Sequence, residues 1–247
     1  MADAPLFGPF SRKGSYSKVK VLDNFNADER FMRLYQETMQ LPEIDELTFY
    51  RRYLSRDERI LLYGTFDPEL FNTLSAEGYD LYLVEPEASR LEGISSRFLH
   101  KVYALSHDVV DAVGFEAFDR LVLPGTTIAR YSRGELLLFF RNIRQLLTVD
   151  GRLLVNLHNI GHLKQHVQPI ASKRMNDCTL FYGQKIDGER LILNLYLKSV
   201  ADEKVGYAVE YLYDPSTLFE FAKLSKYSGQ ILYAGKTVHI LELNKLA

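Results

Sequence analysis

The sequence is short of cysteine, of long apolar runs and of net charge, and each shortage excludes a class of protein. Its 247 residues include a single cysteine, Cys178, which excludes an intramolecular disulfide and a cysteine-built metal site. It contains no run of about 18 apolar residues, so we expect no membrane-spanning helix. The formal net charge of −2 gives no broad basic surface for binding nucleic acid.

The N-terminal segment lacks the features of a secretory signal. It reads MADAPLFGPFSRKG, with the acidic Asp3 near its start and no apolar stretch of sufficient length. Together with the scarcity of cysteine, this predicts a cytoplasmic protein. We expect it to bind neither nucleic acid nor a membrane.

The rest of the composition is that of an ordinary globular protein. Hydrophobic residues make up 47% of the chain and charged residues 25%, which is ample material for a buried core. Tryptophan is absent, but 16 tyrosines and 15 phenylalanines are present, enough for an aromatic core or a pocket lined by tyrosine. The length suits one large domain or one domain with a small insert.

Short apolar segments alternate with helical patterns through the first two thirds of the chain. Strands are predicted over 59–63, 79–85, 102–107, 118–123 and 151–158. Helices are predicted over 28–40, 44–54, 68–77, 87–99 and 133–147. This alternation predicts a parallel sheet with right-handed crossover connections.

The pattern changes after about residue 170. The segments TLFYGQKI and RLILNLYLK flank Asp187-Gly188, a dipeptide that supplies the positive φ of a tight turn, so a hairpin is predicted. A third strand over 205–213 completes a three-stranded antiparallel meander. Asp214-Pro215 then begins a helix, with Asp as N-cap and Pro as first helical residue. Two final strands are predicted over 230–234 and 237–243.

These patterns divide the chain into four segments. We predict an N-terminal arm or lid over 1–27 with little structure of its own, and a core over 28–170. An antiparallel insert follows over 171–213, and residues 214–247 complete the core.

Candidate ligand-binding residues follow the strands, because open α/β sheets bind ligands beyond the carboxyl ends of their strands. Gly64 follows the first strand and lets a ligand approach the backbone closely. Glu85 ends the second strand 21 residues later, a spacing that suits an acid accepting hydrogen bonds from ribose hydroxyls. The alternative for Glu85 is a solvated acid. Asp67 and Glu69 place negative charge at the next helix start, which disfavours a pyrophosphate and hence NAD.

The loops after the third and fourth strands offer further polar groups. Asp108 is placed to accept a hydrogen bond from an adenine amino group, or alternatively to cap a helix over 109–117. Pro124 begins the loop PGTT, whose two threonines would line the floor of a cavity.

Three histidines follow the fifth strand at intervals of four residues. His158, His162 and His166 would share one side of a helix, and three imidazoles can hold a metal ion. Gly161 argues against a continuous helix there, so we predict no metal site. His158, at the end of the strand, is the best candidate for a general base, because an imidazole ordinarily titrates near neutral pH. The alternative is a hydrogen-bonded structural histidine.

Residues 59–158 resemble the class I S-adenosylmethionine-dependent methyltransferases. The resemblance lies in ILLYG, the acid in LVEP, SHD, FDRLVLPGTT, and the helix leading into LLTVDGRLLVNLHN. The insert is similar to that of the small-molecule branch, which includes glycine and amino-sugar N-methyltransferases. The resemblance implies an α/β, Rossmann-like methyltransferase fold: a mostly parallel seven-stranded sheet flanked by helices, with a small antiparallel β-meander insert.

The resemblance also implies a cofactor and residue roles. S-adenosylmethionine is the implied cofactor, Gly64 corresponds to the first glycine of its loop, and Glu85 to the ribose-binding acid. Asp108 corresponds to the adenine contact, and Pro124 begins the segment near the methionine end. Tyr16, in the arm, corresponds to a lid tyrosine that would act in catalysis. The branch further implies natural-product biosynthesis and a homodimer formed through the β insert.

The chain departs from the family at the cofactor loop. Leu62 stands at the position of the acid that pairs with the cofactor's ammonium group, and Phe66 and Pro68 replace the second and third glycines. Losing one hydrogen bond to a charged group costs about 1.5–3 kcal/mol, which weakens binding roughly ten- to more than a hundredfold.

Three functions remain compatible with the sequence. The preferred one is a small-molecule N- or O-methyltransferase in which His158 or Tyr16 takes up the proton. The second is an enzyme of this fold that catalyses a cyclisation or isomerisation without the cofactor. The third is a non-catalytic partner subunit. Retention of Glu85 and Asp108 favours the first, and the altered loop favours the other two.

Overall fold

The architecture was read from a computed structural model. It describes residues 5–24, 28, 30–31, 34, 45–64, 68–86, 91–104, 112, 114–167, 170–175, 177–200 and 202–246. Asp108, Phe66 and most of the helix predicted over 28–40 lie outside the described residues.

Helices and strands alternate along the described part of the chain much as the pattern predicts. The helices with described bounds are α1 (Pro9–Gly14), α2 (Glu46–Tyr53), α3 (Pro68–Ala76), α4 (Arg133–Leu146), α5 (Ile160–His166) and α6 (Pro215–Leu224). The strands are β1 (Lys20–Leu22), β2 (Arg59–Tyr63), β3 (Asp80–Val84), β4 (Val102–Tyr103), β5 (Phe118–Leu123), β6 (Leu147–His158), β7 (Ala171–Arg174), β8 (Cys178–Asp187), β9 (Arg190–Ser199), β10 (Glu203–Tyr211), β11 (Tyr227–Ala234) and β12 (Val238–Lys245). Short 3₁₀ helices cover Ser96–Lys101 and Thr127–Arg130.

The larger sheet has seven strands in the order β4–β3–β2–β5–β6–β12–β11. Strands β4, β3, β2, β5 and β6 are parallel, whereas β12 is antiparallel to both of its neighbours. Six strands therefore run one way and β12 runs the other. This confirms the prediction of a mostly parallel, seven-stranded sheet.

Burial on both faces explains why the central strands are almost wholly apolar. In β2 the four residues from Ile60 to Tyr63 are all buried. Helix α4 covers the sheet with five buried residues, and its start is fixed by a capping box. The Ser132 hydroxyl accepts a hydrogen bond from the Glu135 amide, and the Glu135 carboxylate accepts one from the Ser132 amide at 2.8 Å.

The smaller sheet has five strands in the order β1–β10–β9–β8–β7. Strands β8 and β9 form the predicted hairpin, in which Asp187 pairs with Arg190 and Gly188 has a φ of +61°. Strands β8, β9 and β10 form the predicted three-stranded antiparallel meander, and two further strands enlarge the sheet. Strand β7 extends one edge, and β1, from the N-terminal arm, pairs in parallel with β10 at the other.

The chain divides into two compact units. The insert unit contains residues 1–41 and 161–212, and the core unit contains 42–160 and 213–247. The predicted segments differ from this division, because the arm carries β1, which is a strand of the smaller sheet, and α1, which packs against β9 and β10. The three apolar and basic residues of β1 are too few to predict a strand; its partner β10 lies about 180 residues away in sequence, so the strand is a tertiary feature.

Several local predictions need correction. The helix predicted over 87–99 is replaced, among described residues, by the 3₁₀ helix Ser96–Lys101. Helix α5 is continuous despite Gly161, because a glycine in the first turn lies where the backbone N–H groups have no intrahelical partner anyway. None of the helices in the described ranges is both long and apolar enough to cross a membrane.

Candidate functional site

Gly64 and Glu85 lie at the carboxyl ends of the neighbouring parallel strands β2 and β3. The Gly64 amide donates a hydrogen bond to the Val84 carbonyl at 2.7 Å, and the Glu85 amide donates to the Tyr103 carbonyl at 3.1 Å. The two residues therefore lie at the carboxyl ends of the strands. They are next to the junction of β2 and β5, where the strand order reverses. Ligands of open α/β sheets bind at such a switch point.

Both the backbone conformation at residue 64 and the packing of Thr127 against it require a glycine there. Its φ of +78° lies in the left-handed region, where a side chain is strained. A Cβ atom built there would lie 3.0 Å from the Thr127 methyl carbon. Thr127 is buried, and its hydroxyl donates to the Pro124 carbonyl at 2.7 Å. The space that Gly64 leaves open is thus filled by Thr127.

Glu85 is fully buried, with a relative exposure of 0%. Tyr63 and Tyr131 lie close enough to Glu85 for its negative charge to raise their pKa values. Burial raises the pKa of Tyr63, and the Glu85 carboxylate raises it further. Burial also raises the pKa of Tyr131 far above its usual range, with Tyr63 and Glu85 adding to the effect. Both phenols are therefore neutral at physiological pH, and each lies close enough to the other to affect its pKa.

Tyr131 is held firmly in this position. Its ring stacks on Phe139 of α4 at 4.4 Å between centroids, and the Tyr63 ring meets Phe139 edge-on at 5.2 Å. The Tyr213 hydroxyl donates to the Tyr131 carbonyl at 2.7 Å. Tyr63 and Tyr131 were not predicted as site residues, because Tyr63 is part of the apolar run of β2 and Tyr131 lies eight residues beyond the end of β5.

The loop that begins at Pro124 is anchored to α2 by Glu46. The Gly125 amide donates to the Glu46 carboxylate at 2.8 Å, and the Asn156 side chain donates to the same oxygen. The Tyr50 hydroxyl donates to the side-chain oxygen Oδ1 of Asn156 at 3.3 Å. Burial raises the pKa of Tyr50 well above its usual range, so it remains a hydrogen-bond donor. Glu46 was not predicted as a site residue, because it lies far from the loop in sequence.

His158 is the last residue of β6 and is half-buried. It pairs with Val238 of β12, and the next residue, Asn159, donates from its amide to the Thr237 carbonyl at 2.9 Å. Side chains two apart on a strand share a face, so His158 lies on the same face of the sheet as the buried Asn156. This places an imidazole at the strand edge that also carries Gly64 and Glu85.

The predicted site residues are only partly brought together. Gly64, Glu85, Pro124 and His158 all lie at the carboxyl edge of the large sheet in the core unit. Tyr16 lies in the insert unit, is 53% exposed, and has the Lys13 ammonium 5.2 Å from its ring centroid. The roles predicted for these residues, and for Asp108, stay predictions.

The histidines of α5 form a different arrangement from the one considered for a metal. The rings of His162 and His166 stack at 3.9 Å, and a ring nitrogen of His166 lies 2.8 Å from the His162 carbonyl oxygen. Among the described residues, no three histidine, cysteine or acidic side chains are grouped so that they could hold a metal ion.

The described residues fit one end of S-adenosylmethionine and not the other. Glu85 supplies a carboxylate at the tip of β3, beside the positive-φ turn at Gly64, which suits a ribose. At the methionine end, Leu62 is apolar and buried, and Thr127 fills the space above Gly64. A ligand of Glu85 also requires local opening, because that side chain has no contact with solvent.

Sequence comparison gives no relatives, whereas structural comparison gives several. No family profile matches the sequence, and no curated protein is significantly similar to it. The structure is similar to the CcbJ methyltransferase from Streptomyces caelestis, with a TM-score of 0.68 and 13% identity, covering 94% of this chain and 100% of that one. It is similar to an S-adenosylmethionine-dependent methyltransferase from Clostridium acetobutylicum, with a TM-score of 0.65 and 10% identity, covering 88% and 97%.

A third similar structure is the sugar N-methyltransferase KedS8 from Streptoalloteichus, with a TM-score of 0.64 and 15% identity, covering 87% of this chain and 92% of that one. The strand order and these comparisons agree. The chain has the fold of the class I S-adenosylmethionine-dependent methyltransferases. At such low identity the similarity establishes the fold, and function depends on the site.

Proposed function

We propose that the protein is an S-adenosylmethionine-dependent methyltransferase that modifies an amine or hydroxyl of a small molecule in natural-product biosynthesis. The observation that carries the proposal is the carboxylate of Glu85 at the tip of β3, beside the turn at Gly64 and at the point where the strand order reverses. The similarity to a sugar N-methyltransferase supports a small polar acceptor.

Each predicted site residue has a distinct role under this proposal. The bound cofactor would supply an electrophilic methyl group. Glu85 accepts hydrogen bonds from the ribose hydroxyls, and Asp108 accepts one from the adenine amino group. Pro124 begins the loop beside the methionine end, and Tyr16 closes the site as part of a lid. His158 takes the proton released by the acceptor.

Access to Glu85 sets a condition on binding. The carboxylate is fully buried, and Tyr63 and Tyr131 lie beside it. Cofactor binding therefore requires local opening around Glu85. We expect association to be slow compared with that of a preformed site, because the open state is a minor one.

Calorimetric titration with S-adenosylmethionine and S-adenosylhomocysteine tests cofactor binding. We expect saturable binding to the wild type, weakened about ten- to a hundredfold in Glu85→Gln, because the ribose loses its charged hydrogen-bond acceptor. Glu77→Gln is the matched control: it removes an exposed carboxylate that pairs with Arg51, so cofactor affinity stays unchanged. Absence of saturable binding to the folded wild type at about 1 mM ligand refutes the proposal.

The role of His158 is tested by kinetics once an acceptor is found. We expect His158→Gln to lower kcat at least about a hundredfold with little change in the KM for the cofactor, since the imidazole acts on the proton of the acceptor. His100→Gln, which changes an exposed histidine of the 3₁₀ helix, leaves kcat unchanged. Equal kcat values for His158→Gln and the wild type would rule out a general base at this position.

A second candidate function is favoured by the closed state of the same site. Thr127 fills the space above Gly64, Leu62 replaces the acid, and Glu85 has no solvent contact. Under this alternative the protein has lost methyl transfer and acts as a cofactor-independent cyclase or isomerase, or as a non-catalytic partner subunit. Incubation with candidate substrates and no cofactor distinguishes the enzyme from the non-catalytic subunit. Only an isomerase or cyclase gives a product of unchanged mass.

We also propose a cytoplasmic homodimer that forms through the smaller sheet. Its outer strands β1 and β7 each pair with a single neighbour among the described strands, and exposed strand edges are natural sites of association. Light scattering at several protein concentrations tests this proposal, and a monomeric mass at about 100 μM would exclude a stable dimer.

A further inference from the structure

The insert unit contains a cavity of its own, with a volume of about 170 Å³. It lies between α1 and one face of the smaller sheet, and its walls are formed by the rings of Phe10, Phe181 and Tyr196. Phe181 and Tyr196 are cross-strand partners on β8 and β9, and their ring centroids are 5.6 Å apart. Phe10 and Tyr196 are buried, so these walls are fixed by packing.

Two lysines line this otherwise apolar cavity. The Lys13 ammonium lies 5.0 Å from the Tyr196 ring centroid and 5.2 Å from that of Tyr16. Lys198 follows Tyr196 by two residues, so its side chain lies on the same face of β9. Within the described ranges, neither ammonium group forms an ion pair or a hydrogen bond with a carboxylate. The contacts of Lys13 with the two rings orient its charge without neutralising it.

Two acidic residues at the start of β10, Asp202 and Glu203, each have a partner of their own. Glu203 pairs with Lys198 across the ladder, but its carboxylate accepts a hydrogen bond from the Tyr196 hydroxyl at 2.9 Å. Burial, together with Glu203, raises the pKa of Tyr196 to about 12, so this phenol stays protonated and keeps that bond. The Asp202 carboxylate lies 2.9 Å from the Lys204 ammonium. One carboxylate opposite two lysines leaves the cavity with a positive potential.

We propose that this cavity binds a small aromatic monocarboxylate, with its ring between Phe10, Phe181 and Tyr196 and its carboxylate on the ammonium groups of Lys13 and Lys198. The volume is equivalent to about five or six water molecules at ~30 Å³ each, which suits a single ring with a short acidic chain and excludes a nucleotide. A strongly hydrated inorganic anion gains nothing from three aromatic walls, whereas an aryl group buries its faces against them.

The exposed rim allows the ligand to enter. Pro9, Ile170 and Lys198 line the cavity and are exposed, whereas Phe10 and Tyr196 at its base are buried. A ligand that enters ring first therefore leaves its carboxylate near the lysine at the rim. This arrangement matches sites in which apolar walls provide affinity and a few polar groups fix orientation.

Phenylacetate is the probe for this proposal, titrated into the full chain in the absence of S-adenosylmethionine and followed by calorimetry and by amide chemical shifts in NMR spectra. We expect saturable binding with a Kd of about 1 mM or tighter, with shifts centred on Phe181, Gly183 and Tyr196. The neutral isostere phenylacetamide binds at least about tenfold more weakly, because it cannot use the two ammonium groups. This comparison uses only the wild type, so protein folding does not affect it.

Charge-removing variants locate the site. Lys13→Gln and Lys198→Gln each weaken phenylacetate binding about tenfold, and the double variant removes it. Lys185→Gln is the matched control, because it removes an exposed lysine of the same sheet that does not line the cavity, and it leaves the Kd unchanged. The proposal is overturned if acid and amide bind equally, if the wild type shows no saturation at about 10 mM, or if all three variants behave alike.

Discussion

Thr127 packs its methyl group where a side chain at residue 64 would begin. A Cβ on Gly64 would lie 3.0 Å from that methyl carbon and 3.3 Å from the Thr127 hydroxyl oxygen. The side chain of Thr127 thus excludes any residue larger than glycine at position 64. Gly64, which the sequence predicts as a cofactor-binding residue, is therefore also needed for packing. The same contact closes the edge of the sheet at which a cofactor would bind.

Substituting Gly64→Ala should destabilise the protein by about 2–4 kcal/mol. About 1–2 kcal/mol comes from forcing a side chain into a left-handed backbone conformation, and the rest comes from the collision with Thr127. Urea unfolding followed by circular dichroism measures the loss.

Gly78→Ala is the matched control for that substitution. Gly78 has a φ of +91°, but a Cβ there would meet nothing within 4 Å, so only the backbone cost of about 1–2 kcal/mol applies. Adding Thr127→Ser to Gly64→Ala should restore part of the stability by removing the methyl group. Equal losses for the two alanine variants would show that Thr127 does not crowd Gly64.

The buried ion pair of Arg120 and Glu242 should be costly to break from one side. The Arg120 guanidinium donates to Glu242 at 2.9 Å and to Glu58 at 2.6 Å, and the side chains of Arg120 and Glu242 are only 7% and 8% exposed. Arg120→Met removes the closer cationic partner of the buried Glu242 carboxylate, which keeps a longer contact with Arg152 at 3.6 Å and a hydrogen bond from Gln230 at 2.9 Å. We therefore expect a loss of up to about 3 kcal/mol in the free energy of unfolding. Urea denaturation at pH 7 provides the measurement.

Two further variants test whether a loss of stability at Arg120 comes from the buried charge. Arg120→Met combined with Glu242→Leu should recover most of the stability, because an apolar pair has no charge to solvate. Arg190→Met breaks an exposed pair with Asp187 and should cost less than about 1 kcal/mol. A double variant no more stable than Arg120→Met alone would contradict the argument from uncompensated charge.

The hydroxyl of Tyr227 should reduce stability, and more so at high pH. It is buried without a hydrogen-bond partner in the described part of the chain, so Tyr227→Phe should stabilise the protein by about 1 kcal/mol at pH 7. Burial raises the pKa of Tyr227 above its usual range. The unfolded chain therefore releases this proton first, and the tyrosine contributes a loss of stability as pH rises above about 10.

The advantage of Tyr227→Phe should accordingly widen between pH 9 and pH 11, as measured by urea unfolding at each pH. Tyr211→Phe is the control, since Tyr211 ends β10 in a half-exposed position and its removal should change stability by less than about 0.5 kcal/mol. An advantage for Tyr227→Phe that stays constant with pH would argue against the raised pKa.

The capping box of α4 should make its stability depend on acid pH. Hydrogen bonds from Ser132 lower the pKa of Glu135 below its ordinary value of 4.5. A lowered folded-state pKa contributes stability above the unfolded pKa, and that stability is lost as pH falls through the folded value. Ser132→Ala should cost about 1 kcal/mol at pH 7 and less at pH 3, as measured by urea unfolding at both values.

Ser132→Asn provides the comparison for the capping box. Asparagine keeps an acceptor for the first-turn amide, so its cost at pH 7 should be about half that of alanine or less. If asparagine and alanine cost the same, capping by Ser132 is not the source of the effect.

Local pattern predicts most of the large sheet correctly. The apolar runs at β2 and β5 and the amphipathic repeat of α4 each specify their own element, because burial on two faces or on one stripe leaves a periodic signature. Strand β1 and the 3₁₀ helix Ser96–Lys101 were missed. Strand β1 pairs with β10, which is distant in sequence, so no short window contains the cause of its conformation.

The sequence predicts several residues of the candidate site but not the contacts among them. Gly64, Glu85, Pro124 and His158 were found from their places after strands, since parallel strands bring their carboxyl ends to one edge. Glu46, Tyr63 and Tyr131 were not found, although they surround those residues. Their involvement depends on how α2 and the loop after β5 pack, and packing geometry leaves no mark on the spacing of residues.

The sequence by itself determined the alternation of strands and helices, the glycine turn and the acid at residue 85, because backbone preferences and burial act over a few residues. Only the tertiary structure decided that the arm pairs with β10, that Thr127 fills the space at Gly64, and that Glu85 has no contact with solvent. Those outcomes depend on contacts between segments far apart in the chain, where small differences in packing decide whether a site is open or closed.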